Sequence, residues 1–208
     1  MLITPIPCLK DNYAYIINDE HSKMVGVVDP SESLPIIEFL EKKNLKLNYI
    51  LNTHHHFDHV GGNNDLKKKY NAKVVGYVGD KDRIPCIDIA LSDNEKWFFG
   101  NSKVKIIFIP GHTLGHICFF FESEKVAFTG DTLFSLGCGK IFEGSHKQML
   151  ASLNRLKNLE TIPTSLEEEL KSNIFLRCDQ NDLKIKLNMK NQEDFKVFRK
   201  VRDLKDSF

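Results

Sequence analysis

Short runs rich in apolar, β-branched and aromatic residues recur along the chain with polar turns between them: Ala14 to Asn18, Met24 to Asp29, Leu47 to Thr53, Lys73 to Tyr77, Val104 to Pro110, Ile117 to Glu122 and Val126 to Gly130. Runs of this length and make-up predict strands, because branched and aromatic side chains fit a pleated, half-buried surface. Between some of them the apolar spacing changes to the helical period. One helix is predicted from a cap at Ser31 or Ser33 to about Lys43, a second over Asn63 to Tyr70 and a third over His146 to Leu159. Neither strict strand–helix alternation nor an all-strand spacing holds throughout, so the pattern predicts an α+β fold with sheets packed face to face and helices outside. After Leu159 the texture changes. Glu160 to Ser165 breaks the pattern, Ser165 stands where it can cap a helix over Leu166 to Lys171, and the rest is charged and weakly periodic to Phe208. Two regions are therefore expected, 1–160 and 161–208, with no internal repeat and no low-complexity segment.

Composition narrows the class of protein. With 208 residues, 41% of them hydrophobic and 27% charged, the chain can bury a full core, so a soluble globular protein is expected. A net charge of +1 with scattered Lys and Arg calls for neither nucleic acid nor an anionic membrane as partner. No apolar run approaches the roughly 18 residues of a membrane span, and the start Met1-Leu2-Ile3-Thr4-Pro5 lacks the marks of a signal peptide. The cytoplasm is the expected compartment and a monomer the expected state. Cys8, Cys86, Cys118, Cys138 and Cys178 form an odd set without a C-x-x-C pair, which fits free thiols better than a disulfide framework.

The chemistry is concentrated in Thr53-His54-His55-His56-Phe57-Asp58-His59, directly after the strand-like run that ends at Asn52. Imidazole and carboxylate are the ligands that suit zinc, iron or manganese. In an extended segment His54 and His56 share one side, while the following loop turns Asp58 and His59 elsewhere, so one stretch can serve two ions. Two further loops follow apolar runs: Gly111-His112-Thr113, and Thr129-Gly130-Asp131-Thr132. His112 and a bridging Asp131 would complete the set begun by His54 and His56 and be shared with Asp58 and His59.

His54-x-His56-x-Asp58-His59, Gly111-His112-Thr113 and Gly130-Asp131 together resemble the metallo-β-lactamase superfamily, and the resemblance implies its αββα sandwich. Within it the likeness to glyoxalase II, hydroxyacylglutathione hydrolase, is closer still. It includes Asp11-Asn12-Tyr13, Val28-Asp29-Pro30, Gly115-His116-Ile117-Cys118, the whole run from Gly130 to Gly144, Pro163 to Leu170, Phe175-Leu176-Arg177 and Arg202 to Asp206. The resemblance assigns His54, His56 and His112 to a first divalent metal, Asp58 and His59 to a second, and Asp131 to both. It gives Asp58 the task of orienting a hydroxide generated on the metals, which attacks the thioester of S-lactoylglutathione and yields glutathione and D-lactate in methylglyoxal detoxification. Lys140, Arg202 and Lys205, which on their own read as solvated surface cations, match positions that hold the glutathione part, whose carboxylates suit cations. Phe142 stands where some relatives have Tyr.

One departure stands out. Between the helix at His146 to Leu159 and the Pro163 run the family has several dozen residues that this chain lacks, including a Gly-His-Glu-Tyr motif that supplies the last imidazole of the second metal. No histidine follows His146 here. The expected consequences are a second metal site one ligand short, a sandwich lacking an inner strand and a truncated C-terminal helical segment. Two other readings share the fold: a glutathione persulfide dioxygenase with one iron on His54, His112 and Asp131, and a decayed family member with little or no activity.

Overall fold

The computed structural model describes residues 1–159 and 165–207, with the side chain of Ser165 also outside that description. The residues fall into two compact units, one of 1–108 and 117–130, the other of 109–116 and 131 onward. The expected boundary at 160/161 and the Ser165 cap lie outside the described residues.

The first unit carries two sheets. One is six-stranded, with β1 (Leu2–Cys8), β2 (Asn12–Asp19), β3 (Met24–Val28), β4 (Tyr49–Leu51), β5 (Lys73–Tyr77) and β6 (Ile89–Leu91) side by side in chain order. β1 to β3 are antiparallel, and β3 to β6 run parallel. The parallel connections carry α1 (Leu34–Lys42) between β3 and β4, and the short α2 (Phe57–Val60) with α3 (Asn63–Tyr70) between β4 and β5. The other sheet is antiparallel, in the order β10 (Val126–Phe128), β9 (Ile117–Phe121), β8 (Ser102–Phe108), β7 (Lys96–Phe99). Alternation along the strands sorts the core into two layers. Ile16, Val27, Ile50 and Val74 pack with Ile36 and Leu40 of α1 and Leu66 of α3. Ile17, Val28, Leu51 and Val75 pack with Phe99, Ile106, Phe119 and Phe121 of the second sheet. Strands buried on both faces read as unbroken apolar runs, which is why β4 and β5 are plain in the sequence. At about 1.5–3 kcal/mol for each fully buried large side chain, these layers dominate the unit's stability. Among the described residues β10 ends its sheet, and no strand pairs with its outer edge.

The seven expected strands are present within a few residues of the bounds read from the pattern. β1 was not expected because Pro5 and Pro7 interrupt its run. It forms because it lies at the sheet edge, where a missing N–H breaks no ladder bond. Ser33 occupies the N-cap position of α1 but makes no capping bond; its hydroxyl donates to Asp65 Oδ2 at 2.9 Å.

The second unit is mostly helical: a β11 (Leu133–Phe134) and β12 (Gly137–Cys138) hairpin, α4 (His146–Lys157), α5 (Ser165–Ser172), a 3-10 turn Ile174–Leu176, α6 (Asn181–Lys186) and α7 (Asp194–Asp206). α4 starts with a capping box in which Ser145 accepts from Gln148 N and Gln148 returns the bond to Ser145 N. Met149, Leu153, Phe175, Leu176, Val197, Phe198 and Val201 form the core. Buried Asn173 fastens the hairpin to it, donating to Gly137 O at 3.0 Å and accepting from Phe175 N at 3.0 Å. No helix among the described residues is long and apolar enough to cross a membrane.

Candidate metal centre

In the first unit the donors are gathered where β4 ends. Asp29 follows β3, the parallel neighbour of β4, with a left-handed φ of 50° that a short polar residue tolerates. Its buried carboxylate accepts from Thr53 N at 2.8 Å and from the Thr53 hydroxyl at 2.6 Å. With its proton committed to Asp29, the Thr53 oxygen accepts from His54 Nδ1, 3.0 Å away. That assigns the Nδ1–H tautomer to His54 and puts its lone pair on Nε2. His54 Nε2 lies 3.1 Å from His56 Nδ1. Two nitrogens bound to one tetrahedral zinc at about 2.0–2.1 Å lie roughly 3.3 Å apart, so the pair has the spacing of ligands to a common ion.

The helix α2 turns the other two donors. His59 Nδ1 lies 3.1 Å from Asp29 Oδ2, a contact without the alignment of a hydrogen bond, and His59 Nε2 lies 3.5 Å from Asp58 Oδ2. Buried Asn52 holds the end of α2 by donating to His59 O at 2.9 Å. Asn12, at the start of β2, donates to Asp58 Oδ2 at 3.0 Å, so the carboxylate is fixed from a strand 46 positions away in sequence. The backbone crowds in closely here: a Cβ on Gly61 would meet Ser31 O at 2.3 Å. Asp29, His54 and His59 also have ligand atoms within 4.8 Å of one another. Both Asp29 oxygens accept from Thr53, and Oδ2 also stands beside His59 Nδ1, so the carboxylate joins the loop after β4 to the end of β3.

In the second unit His112 and Asp131 are brought together. His112 Nδ1 is 2.6 Å from Lys140 O, which places its proton there and its lone pair on Nε2, 3.4 Å from Asp131 Oδ2. The Asp131 N–H donates to Nε2 of the fully buried His116 at 3.1 Å. Gly139 permits the close packing, since a Cβ there would lie 1.8 Å from Asp131 O and 3.2 Å from His112 Nδ1. Phe142 N and Glu143 N donate to His112 O, and the Phe142 ring stands edge-on to the His112 imidazole at 5.2 Å between centroids. Of the residues expected to hold glutathione, Lys140 and Lys205 are exposed at the surface and Phe142 is 62% exposed. Lys205 Nζ donates to Cys138 O at 3.2 Å. Arg202 is buried instead, donating to Cys138 O at 2.9 Å and Gly139 O at 3.4 Å and pairing with Asp206, which keeps the Asp206 carboxyl below its ordinary range.

The pattern of carboxylates and imidazoles fits divalent metals in both units. Sequence reasoning found the donors but gave no role to Asn12, Asp29, Thr53 or His116. Their signal was adjacency, since each lies in or beside a run that carries the family resemblance.

Residues 10–85 and 98–162 match the metallo-beta-lactamase superfamily, and residues 143–208 match the hydroxyacylglutathione hydrolase C-terminus. The hydroxyacylglutathione hydrolase of Pelagibacter ubique is 46% identical over 253 residues, covering all of both chains. The chain belongs to the hydroxyacylglutathione hydrolase family. Another member, from Methylococcus capsulatus, is 37% identical over 251 residues, covering 99% of this chain and 98% of its own. Both alignments run well beyond the 208 residues present here, so these hydroxyacylglutathione hydrolases carry positions without a counterpart in this chain. Among solved structures, the BLEG-1 B3 metallo-beta-lactamase superposes with a TM-score of 0.75 at 24% identity, covering 84% of this chain and 99% of that one, a likeness of fold. The α+β sandwich expected from the sequence is thus the metallo-β-lactamase fold.

Proposed function

We propose that this hydroxyacylglutathione hydrolase family member cleaves S-2-hydroxyacylglutathione thioesters such as S-lactoylglutathione to glutathione and a 2-hydroxy acid. The observation that supports it best is the match of residues 143–208 to the family's own C-terminal region, added to an ordered set of imidazole and carboxylate donors at the end of β4. The same match favours the hydrolase over the single-iron dioxygenase. His54, His56 and His112 belong to the first metal in this reading, Asp58 and His59 to the second, and Asp131 to both. Bound divalent metals supply Lewis acidity and a nucleophilic water near neutral pH.

The chain's own groups do the rest. Thr53, held by Asp29, keeps His54 in the tautomer that presents Nε2, and the Asp29 carboxylate stands beside His59 Nδ1. Asn12 engages one oxygen of Asp58, which orients that carboxylate toward the nucleophile. His116 fixes the backbone of Asp131. Lys140 and Lys205 offer ammonium groups to the glutathione carboxylates, and Phe142 offers an apolar face. Arg202 acts from beneath, holding the Cys138–Gly139 carbonyls that border Lys140. The second metal, lacking the imidazole that the Gly-His-Glu-Tyr motif supplies in the family, is held more weakly than the first.

The test is hydrolysis of S-lactoylglutathione against a β-lactam and a phosphodiester by protein loaded with zinc or manganese. Fastest turnover is expected for the thioester. Faster turnover of either other substrate contradicts the reading, and none at all by folded, metal-loaded protein favours a decayed family member.

A further inference from the structure

The middle histidine of the H-x-H segment is not a donor in the reading above, yet it is tied to the most deeply buried carboxylate near the centre. Asp80 ends the 3-10 turn Val78–Asp80 that follows β5, and it is fully buried. A buried carboxylate persists only where its oxygens are paired. Oδ2 of Asp80 lies 2.9 Å from His55 Nδ1, and Oδ1 accepts from Arg83 Nε at 2.9 Å and from the Arg83 terminal nitrogen. The turn is closed by its own main chain, with Arg83 N and Ile84 N both donating to Asp80 O at 2.9 Å. β4 and β5 are parallel neighbours, so the segment after β4 and the turn after β5 emerge side by side, and the His55–Asp80 contact joins them.

We propose that Asp80, braced by Arg83, is a positioning residue for the metal centre that acts through His55. It touches neither substrate nor metal. His55 lies between His54 and His56, and its ring stands edge-on to theirs, 6.5 Å and 5.0 Å between centroids respectively. Fixing the middle ring fixes the backbone torsions on either side of it. Those torsions set the 3.1 Å approach of His54 Nε2 to His56 Nδ1. Thr53 and Asp29 restrain the segment from its first residue; Asp80 restrains it two residues on, at His55. Without the second restraint, metal binding has to order the segment, and affinity falls. The inference rests on the metal-site reading of His54 and His56.

The experiment measures zinc affinity by competition with a chromogenic chelator for the unaltered protein, Asp80→Ala, His55→Ala and the double variant, with far-UV circular dichroism of each metal-free protein. Partners that align ligands are worth about 10- to 100-fold in metal affinity, so each single variant is expected to bind zinc weaker by that factor. The double variant is expected to be no weaker than either single one, because Asp80 acts only through His55. Multiplying losses, or unchanged affinity in His55→Ala, overturns the proposal. If Asp80→Ala fails to fold, His55→Ala and the shape-conserving Asp80→Asn still decide it, since unchanged zinc affinity in both contradicts the role. Absence of zinc binding by the unaltered protein overturns instead the metal-site reading on which the proposal stands.

Discussion

The two units hold their donors by different means. At the end of β4, four candidate ligands come from six consecutive residues and are braced by side chains: Asp29, Asn52, Thr53 and Asn12, each buried or half-buried and each bonded to the loop. In the second unit the two donors stand 19 positions apart, and main chain takes part in each brace: the Lys140 carbonyl orients His112, the Asp131 N–H donates to the His116 ring, and Gly139 lets the segments approach. A side-chain brace can be removed by one substitution without moving the backbone. A main-chain partner such as the Lys140 carbonyl is lost only if the backbone moves, so the first region is open to dissection residue by residue, while in the second His116 is the brace that one substitution removes.

The largest effect is expected from His54→Ala. It removes a donor directly, so metal bound by the purified protein should disappear from elemental analysis; unchanged metal content would remove His54 from the set of ligands. Next comes Asp29→Ala, which leaves the Thr53 N–H and hydroxyl without an acceptor and His59 without its carboxylate. Leaving a buried donor unsatisfied costs about 1–3 kcal/mol, so the denaturation midpoint of the metal-free protein should fall along with zinc affinity. Retained stability would show that the brace is idle.

Much of the first region was legible because its signals are local. The donors of β4's loop are contiguous, and strands buried on both faces announce themselves as apolar runs. β1 stayed hidden behind Pro5 and Pro7, which only an edge position excuses. β6 and β7, three and four residues long, are too short to show a period. In the second unit α7 went unread because its buried face runs Val197, Phe198, Val201 and then Arg202, a stripe that a guanidinium interrupts. Arg202 also shows why matching positions do not by themselves assign contacts: a cation expected at the substrate is folded under the Cys138 and Gly139 carbonyls.

That difference separates Lys205 from Arg202 experimentally. Loss of one charge-assisted contact costs about 1.5–3 kcal/mol, so Lys205→Ala should raise KM for the thioester by roughly one to two decades with the melting temperature nearly unchanged. Arg202→Ala should lower the melting temperature as well as raise KM. A purely kinetic phenotype for Arg202→Ala would place its side chain at the substrate after all. The smallest effect concerns the thiols. All five cysteines are free, and only Cys86 is exposed. Burial pushes the Cys118 thiol up, and that of Cys178 up to about 12. Thiolate is the reactive form, so iodoacetamide at pH 8 should label the native protein once, at Cys86, with no change in metal content. Rapid labelling of Cys178 would mean that the second unit opens readily.

The most direct measurement of the centre is a zinc titration of metal-free protein followed by exhaustive dialysis. On the proposed assignment, which completes the first position and leaves the second one imidazole short, close to one zinc per chain should survive, and a second should bind only while zinc is in excess. Two zinc ions retained through dialysis would contradict that asymmetry and require another ligand in place of the absent histidine.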